Sequence, residues 1–265
     1  MFQSPGAVAF TLGSIDIHWY GIVMSLAILC GIFVILFIRS KFFEEITADS
    51  IFDLSFVLII WGIISARLYY VLLDYKYFLR FPLEIPAVWN GGISIQGALL
   101  GGIIAGIIYA KKHNINFFRY ADLYVFGLTA GQIIGRWGNF FNSEAFGLPC
   151  NLPWKLFIPY NARPLEYKLQ EYFHPAFLYE SILSLIIFAV LYLVLLKTAK
   201  RTDGVIFYLY IILYSIVRIG VESIRTDSVL NIFNFHAAHL TAVIFITAAV
   251  IGLYFLFKGK SKHSL

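Results

Sequence analysis

The chain has 265 residues, 60% hydrophobic and 13% charged, with a formal net charge of +5 and a mean hydropathy of +0.80. A soluble domain carries about 25% charged residues, so an ordinary soluble enzyme, a disordered chain and a nucleic-acid module are excluded. The positive surplus reads as membrane topology and contact with anionic lipid.

In chain order, seven apolar blocks cover residues 19–38, 51–73, 92–110, 120–137, 176–196, 204–221 and 240–257. A span needs ~20 residues to cross ~30 Å of hydrocarbon. The pattern predicts an all-α fold, a polytopic transmembrane helix bundle of about seven spans, forming a single integral membrane domain over residues 1–265. No Lys or Arg precedes the first block and no small-residue cleavage site follows it, so the N-terminus is expected to stay in the mature protein. With seven spans, the loops 39–50, 111–119, 197–203 and the tail 258–265 hold eleven Lys and Arg, against six on the other side. This predicts an external N-terminus and a cytoplasmic C-terminus. The longest loop, 138–175, holds Pro149, Pro153, Pro159 and Pro164 and is expected to form an irregular external cap. No internal repeat of the kind that builds many transporters is present.

Three basic residues fall within spans: Arg67, Arg136 and Arg218. Each costs ~2.5–3.5 kcal/mol on insertion scales. One reading pairs each with an internal acid, of which Asp53, Asp122, Glu180 and Glu222 are at hand. The other lines one polar cavity with guanidinium forks, which suit phosphate oxygens and stay protonated when desolvated. The nearest abundant phosphate in a bilayer is a lipid headgroup.

The densest chemistry is Gly135-Arg136-Trp137-Gly138-Asn139-Phe140-Phe141-Asn142-Ser143-Glu144-Ala145-Phe146-Gly147. As bare composition it reads equally as a helix C-terminal cap and turn. Arg218, Glu222 and Arg225 are spaced to share one helix face if the helix runs that far. His174-Pro175 with Tyr179-Glu180 opens the fifth block. Tyr20 beside Trp19 suits an aromatic interface belt. His236 and His239 have no third ligand nearby, so no metal is expected. Gly91, Gly92, Gly97, Gly101, Gly102 and Gly106 most simply permit close helix packing. Cys30 and Cys150 offer neither metal spacing nor a disulfide framework.

Residues 135–147 resemble the signature of bacterial prolipoprotein diacylglyceryl transferases, Gly-Arg-x-Gly/Ala-Asn-Phe-apolar-Asn-x-Glu-x-x-Gly, at every fixed position. The resemblance extends through His18-Trp19-Tyr20-Gly21, Ala66-Arg67-Leu68 with Tyr70, Gly91-Gly92-Ile93-Ser94-Ile95-Gln96-Gly97, His174-Pro175 with Leu178-Tyr179-Glu180, and Arg218 with Glu222 and Arg225-Thr226-Asp227. It implies transfer of a diacylglyceryl group from phosphatidylglycerol to the lipobox cysteine of a prolipoprotein. A thioether forms and glycerol phosphate leaves, as the first step of lipoprotein maturation in the bacterial cell membrane. The active site would face the outer side, and a lipoprotein signal peptidase would act downstream. No cofactor or metal is implied, and no nucleic-acid partner.

The resemblance also implies residue roles. Arg136 and Arg218 are the catalytic candidates, stabilising charge on the departing phosphate. Tyr20, Gln96, Asn139, Glu144, Gly147, Arg67, Glu180, Glu222 and Arg225 are the other substrate-binding candidates, with Glu222 and Arg225 holding Arg218. The family often has His where this chain has Gln96, and Gln cannot take a proton. His239 stands where the family often has Gln. A transporter of lipid or anions would explain the arginines but not the thirteen-residue match. An intramembrane protease would need a paired Asp or a metal motif that the spans lack.

Overall fold

The computed structural model describes residues 2–88, 91–197, 202–226, 231–232 and 235–262. Among the described residues seven long helices fall on the seven apolar blocks: α1 (Trp19–Phe42), α2 (Ala48–Leu73), α4 (Ile95–Lys112), α5 (Phe117–Asn142), α6 (Ala176–Lys197), α7 (Val205–Glu222) and α8 (Ala237–Lys262), with a short α3 (Tyr75–Arg80) after α2. Five of them, α1, α2, α6, α7 and α8, are long and apolar enough to cross a membrane. In α5 that apolar character is diluted by Arg119, Asp122, Gln132, Arg136 and Asn139. Outward-facing side chains such as Phe33 (69% exposed), Leu29 (64%) and Phe255 (63%) form an apolar exterior that suits lipid and not water.

Helix ends follow local chemistry. Thr47 caps α2, accepting from the Ser50 amide at 3.2 Å, with Asp49 in the first turn to complement the helix dipole. Arg39 and Lys41 close α1, and Lys111 and Lys112 close α4. Asp122 supplies the cap for α7 from another helix: its carboxylate accepts from the amides of Gly204 and Phe207, both at 2.7 Å.

The chain divides into two compact units, residues 1–37 with 121–265, and residues 38–120. In the second unit α2 packs on α4. A Cβ at Gly97 would stand 2.5 Å from the Ser65 carbonyl oxygen, and one at Gly101 would overlap the Ser65 side chain. These two glycines serve the close packing expected of them; Gly102 meets nothing within 4 Å. Gly91 and Gly92 lie instead in the preceding loop at φ +83° and +71°, a region glycine enters without strain.

In the first unit α1 meets α5 where Gly31 faces Gly127, α6 packs on α7, and α7 on α8. Short strands add to the helices. A hairpin pairs β2 (Val8–Leu12) with β3 (Ile15–His18) across the two-residue turn Gly13-Ser14. The segment 138–175 is more regular than its prolines suggest. Its strands β4 (Leu156–Phe157) and β5 (Tyr172–Phe173) pair antiparallel, and β1 (Phe2–Gln3) adds to β4 in parallel. Phe140, Phe146, Leu156, Ile158, Phe173 and Phe177 form a core beneath this sheet.

Candidate active site

The C-terminal end of α5 opens the site. The Ser143 amide donates to the Phe140 carbonyl at 3.2 Å and the Glu144 amide to that of Asn139 at 3.0 Å, the paired bonds of a Schellman cap. The reading of residues 135–147 as a helix cap is therefore right, and so is its reading as a cluster of polar groups. Ser143 occupies the left-handed position at φ 54°, as does Ala145, each at a cost of about 1 kcal/mol. Cross-links hold this turn: the Gly147 amide to the His174 carbonyl at 2.9 Å, Leu148 to Ile224 at 2.7 Å and His174 to Leu148 at 3.0 Å. A Cβ on Gly147 would lie 2.8 Å from His174 Cβ and 2.9 Å from the Ile224 oxygen, so the signature glycine is required by close backbone approach. The cap turns Glu144 back over α5, where it accepts from Asn139 Nδ2 at 3.0 Å and Asn142 Nδ2 at 3.3 Å. Tyr20 packs its ring against Gly138.

Glu180, early on α6 and 4% exposed, gathers three guanidinium groups. Arg136 Nη2 bonds its Oε2. Arg225 Nη1 lies 3.3 Å and Arg218 Nη1 3.7 Å from its Oε1. Arg218 has a closer partner on its own helix, Glu222, at 2.7 Å. These five charges sum to +1 and sit where water is scarce: the arginine side chains are 18% (Arg136), 26% (Arg218) and 13% (Arg225) exposed. Arg225 reaches Glu180 although α7 has ended at Glu222; it pairs with Gly147 in an isolated β-bridge. The shared-face spacing of Arg218, Glu222 and Arg225 thus holds for the first pair only. Ser181 Oγ donates to the Ile133 carbonyl at 2.8 Å, fixing α6 to α5 beside the cluster.

Three residues join the site that the sequence reading missed. Arg136 Nη2 donates to Tyr214 Oη at 3.2 Å. One turn earlier on both helices, Gln132 Nε2 donates to Tyr210 Oη at 2.8 Å. The two tyrosine rings stack, 5.7 Å apart. The signal was spacing: Gln132 lies four residues before Arg136, and Tyr214 and Tyr210 lie four and eight before Arg218.

Arg67 and Gln96 belong to the other unit. Arg67 is buried and its fork is occupied by backbone oxygens: Ile85 at 2.8 Å, Gly91 at 2.6 Å, Gly92 at 2.8 Å and Glu84 at 2.5 Å. It ties Glu84 and Ile85 to Gly91 and Gly92; in the first unit Arg136 and Arg218 meet at Glu180. Gln96 is exposed at the start of α4, its amide oxygen accepting from Ser94 Oγ at 2.6 Å. Among the described residues no group of His, Cys, Asp and Glu could hold a metal. Asp227 and the His236 side chain lie outside the described residues.

The family model of prolipoprotein diacylglyceryl transferases matches residues 7–255. The chain is 42% identical to the phosphatidylglycerol–prolipoprotein diacylglyceryl transferase of Acaryochloris marina over 257 residues, covering 97% of this chain and 93% of that protein. It is 41% identical to the enzyme of the same name from Trichormus variabilis over 98% of this chain and 93% of that protein. With the Thermosynechococcus vestitus enzyme it shares 38% identity over 97% and 93% of the two chains.

Proposed function

Because this chain belongs to the prolipoprotein diacylglyceryl transferase family and is a transferase, we propose that it moves the diacylglyceryl group of phosphatidylglycerol onto the lipobox cysteine of prolipoproteins. The observation that carries this reading is the convergence of Arg136, Arg218 and Arg225 on Glu180, beside the signature turn.

The thiolate attacks the glycerol carbon that bears the phosphate. The S–C bond forms, the C–O bond breaks, and its electron pair stays with the phosphate, which leaves as glycerol phosphate; the thiol proton passes to solvent or to that phosphate. Negative charge builds on the departing oxygens. Fixed guanidinium groups in a dry site stabilise such charge without reorganising. Arg136 and Arg218 take that part. Glu222 holds Arg218, and Tyr214 steadies Arg136. Tyr20, Asn139 and Glu144 bind the headgroup hydroxyls, while Gly147 lets the turn approach its neighbours. Positive charge beside the thiol, whose unperturbed pKa is ~8.5, favours thiolate without a dedicated base. All seven long helices cross the bacterial cell membrane, with the N-terminus and the 138–175 cap on the outer side.

The test is a cell-free assay with purified protein, phosphatidylglycerol and a lipobox peptide. A mass gain of one diacylglyceryl unit on the cysteine is expected. Lipid movement between leaflets with no modified peptide would instead mark a transporter.

A further inference from the structure

We propose that Glu180 is a resident counter-anion: it holds Arg136 in the lipid-free protein, releases it to an incoming phosphate, and retakes it as the phosphate product leaves. The inference rests on the transferase reading and concerns how the same site turns over.

Glu180 receives guanidinium groups from three places in the chain, α5, α7 and the turn after α7. A carboxylate oxygen and a phosphate oxygen offer a guanidinium the same chemistry, so a phosphate reaching Arg136 competes with Glu180 for the same N–H groups. The contacts are graded. Arg218 is committed to Glu222 at 2.7 Å and stands 3.7 Å from Glu180. Arg136 is held by Glu180 and by the neutral hydroxyl of Tyr214. Of these two arginines, Arg136 is the one whose ionic contact with Glu180 is direct and whose second partner does not neutralise it; Arg225 holds the other carboxylate oxygen.

Glu180 is also built to stay behind when Arg136 turns away. Its neighbour Ser181 is bonded to the Ile133 carbonyl. Its second oxygen faces Arg225 at 3.3 Å, so a cation remains on the carboxylate throughout the exchange. A carboxylate at fixed short range competes at high effective concentration. That is what a site with several arginines needs if an anionic product is to depart from a place of low dielectric.

The experiment compares wild type, Glu180→Gln and Glu180→Asp in lipid nanodiscs. Binding of glycerol 1-phosphate and of inorganic phosphate is read from thermal unfolding shifts, and KM for phosphatidylglycerol and product inhibition from the transfer assay. Glu180→Gln removes the competitor and should bind glycerol 1-phosphate roughly tenfold more tightly, the size of one charge-assisted contact. Its KM should fall and product inhibition should strengthen, while kcat drops as release becomes limiting. Unchanged or weaker phosphate binding with an unchanged or raised KM would make Glu180 a brace and overturn the proposal. If Glu180→Gln does not fold, Glu180→Asp decides. It keeps the charge but retracts it by one methylene, and should shift binding the same way by less; no shift, or weaker binding, overturns the proposal. Tighter phosphate binding in the variants, with a wild type that modifies no peptide, would sink the transferase reading and leave the counter-anion standing. Peptide modification with phosphate binding indifferent to Glu180 would do the reverse.

Discussion

The hydroxyl oxygen of Tyr214 accepts a hydrogen bond from Arg136 at 3.2 Å across 78 positions of sequence. Four residues later on the same helix stands Arg218, so α7 brings both a neutral partner for one arginine and a second arginine. Tyr214→Phe keeps the ring stack on Tyr210 and deletes this bond. Bonds to charged groups are worth ~1.5–3 kcal/mol, so kcat/KM in the peptide assay should fall by at least ~10-fold with the fold intact. Unchanged kinetics would remove Tyr214 from the site.

Arg136→Lys preserves the charge but not the planar guanidinium that reaches Glu180 and Tyr214 and that would take a phosphate on the proposed mechanism. Turnover should drop by the equivalent of ~2–4 kcal/mol in protein that still inserts and unfolds cooperatively. Turnover near that of wild type would show that charge alone suffices.

Gln96 has its amide oxygen engaged by Ser94 and offers no proton acceptor near neutral pH. Gln96→Ala should lower the initial rate by less than ~100-fold, below the upper range of general-base catalysis. Gln96→His should remain active without a new titration near pH ~6.5. A large gain in Gln96→His that decays below that pH would reveal a missing base.

Two glycine substitutions should part company. A Cβ on Gly147 collides with His174 Cβ and the Ile224 oxygen, neither of them a flexible side-chain tip, so Gly147→Ala should cost ~1–3 kcal/mol and visibly lower the unfolding temperature. Gly102 on α4 meets nothing within 4 Å. Gly102→Ala should leave that temperature unchanged or raise it, since alanine is favoured in a helix by ~0.5–1 kcal/mol. Equal effects would mean that crowding at the signature turn is not what requires glycine there.

Reporters fused after residue 265 should read cytoplasmic, and reporters inserted near Lys155 external, following the bias of eleven Lys and Arg to six. Both on one side would mean an even number of crossings between these points and would end the seven-span reading.

The long helices were legible because runs of Leu, Ile, Val and Phe leave little choice of structure. The polar cluster was legible where arginines and acids break such runs: Arg136, Glu180, Arg218 and Glu222 all surface that way. What escaped depends on neighbours distant in sequence. Tyr214 and Tyr210 look like ordinary span aromatics until Arg136 and Gln132 are set against them. Arg67 has the profile of an anion ligand, and only the placement of Glu84, Ile85, Gly91 and Gly92 shows its donors spent on carbonyls. The β2–β3 hairpin did leave a trace, alternating residues on either side of Gly13-Ser14, but its strands are short beside the apolar block that follows.

The cap that Asp122 places on α7 has a consequence for synthesis. Its carboxylate is made with the fourth long helix, yet the Gly204 amide it binds lies 82 residues later. At ~5–20 residues per second the ribosome needs roughly 4–16 s to deliver that amide. For those seconds the carboxylate exists without the amides it will cap, so this contact can form only after the later helix has been made.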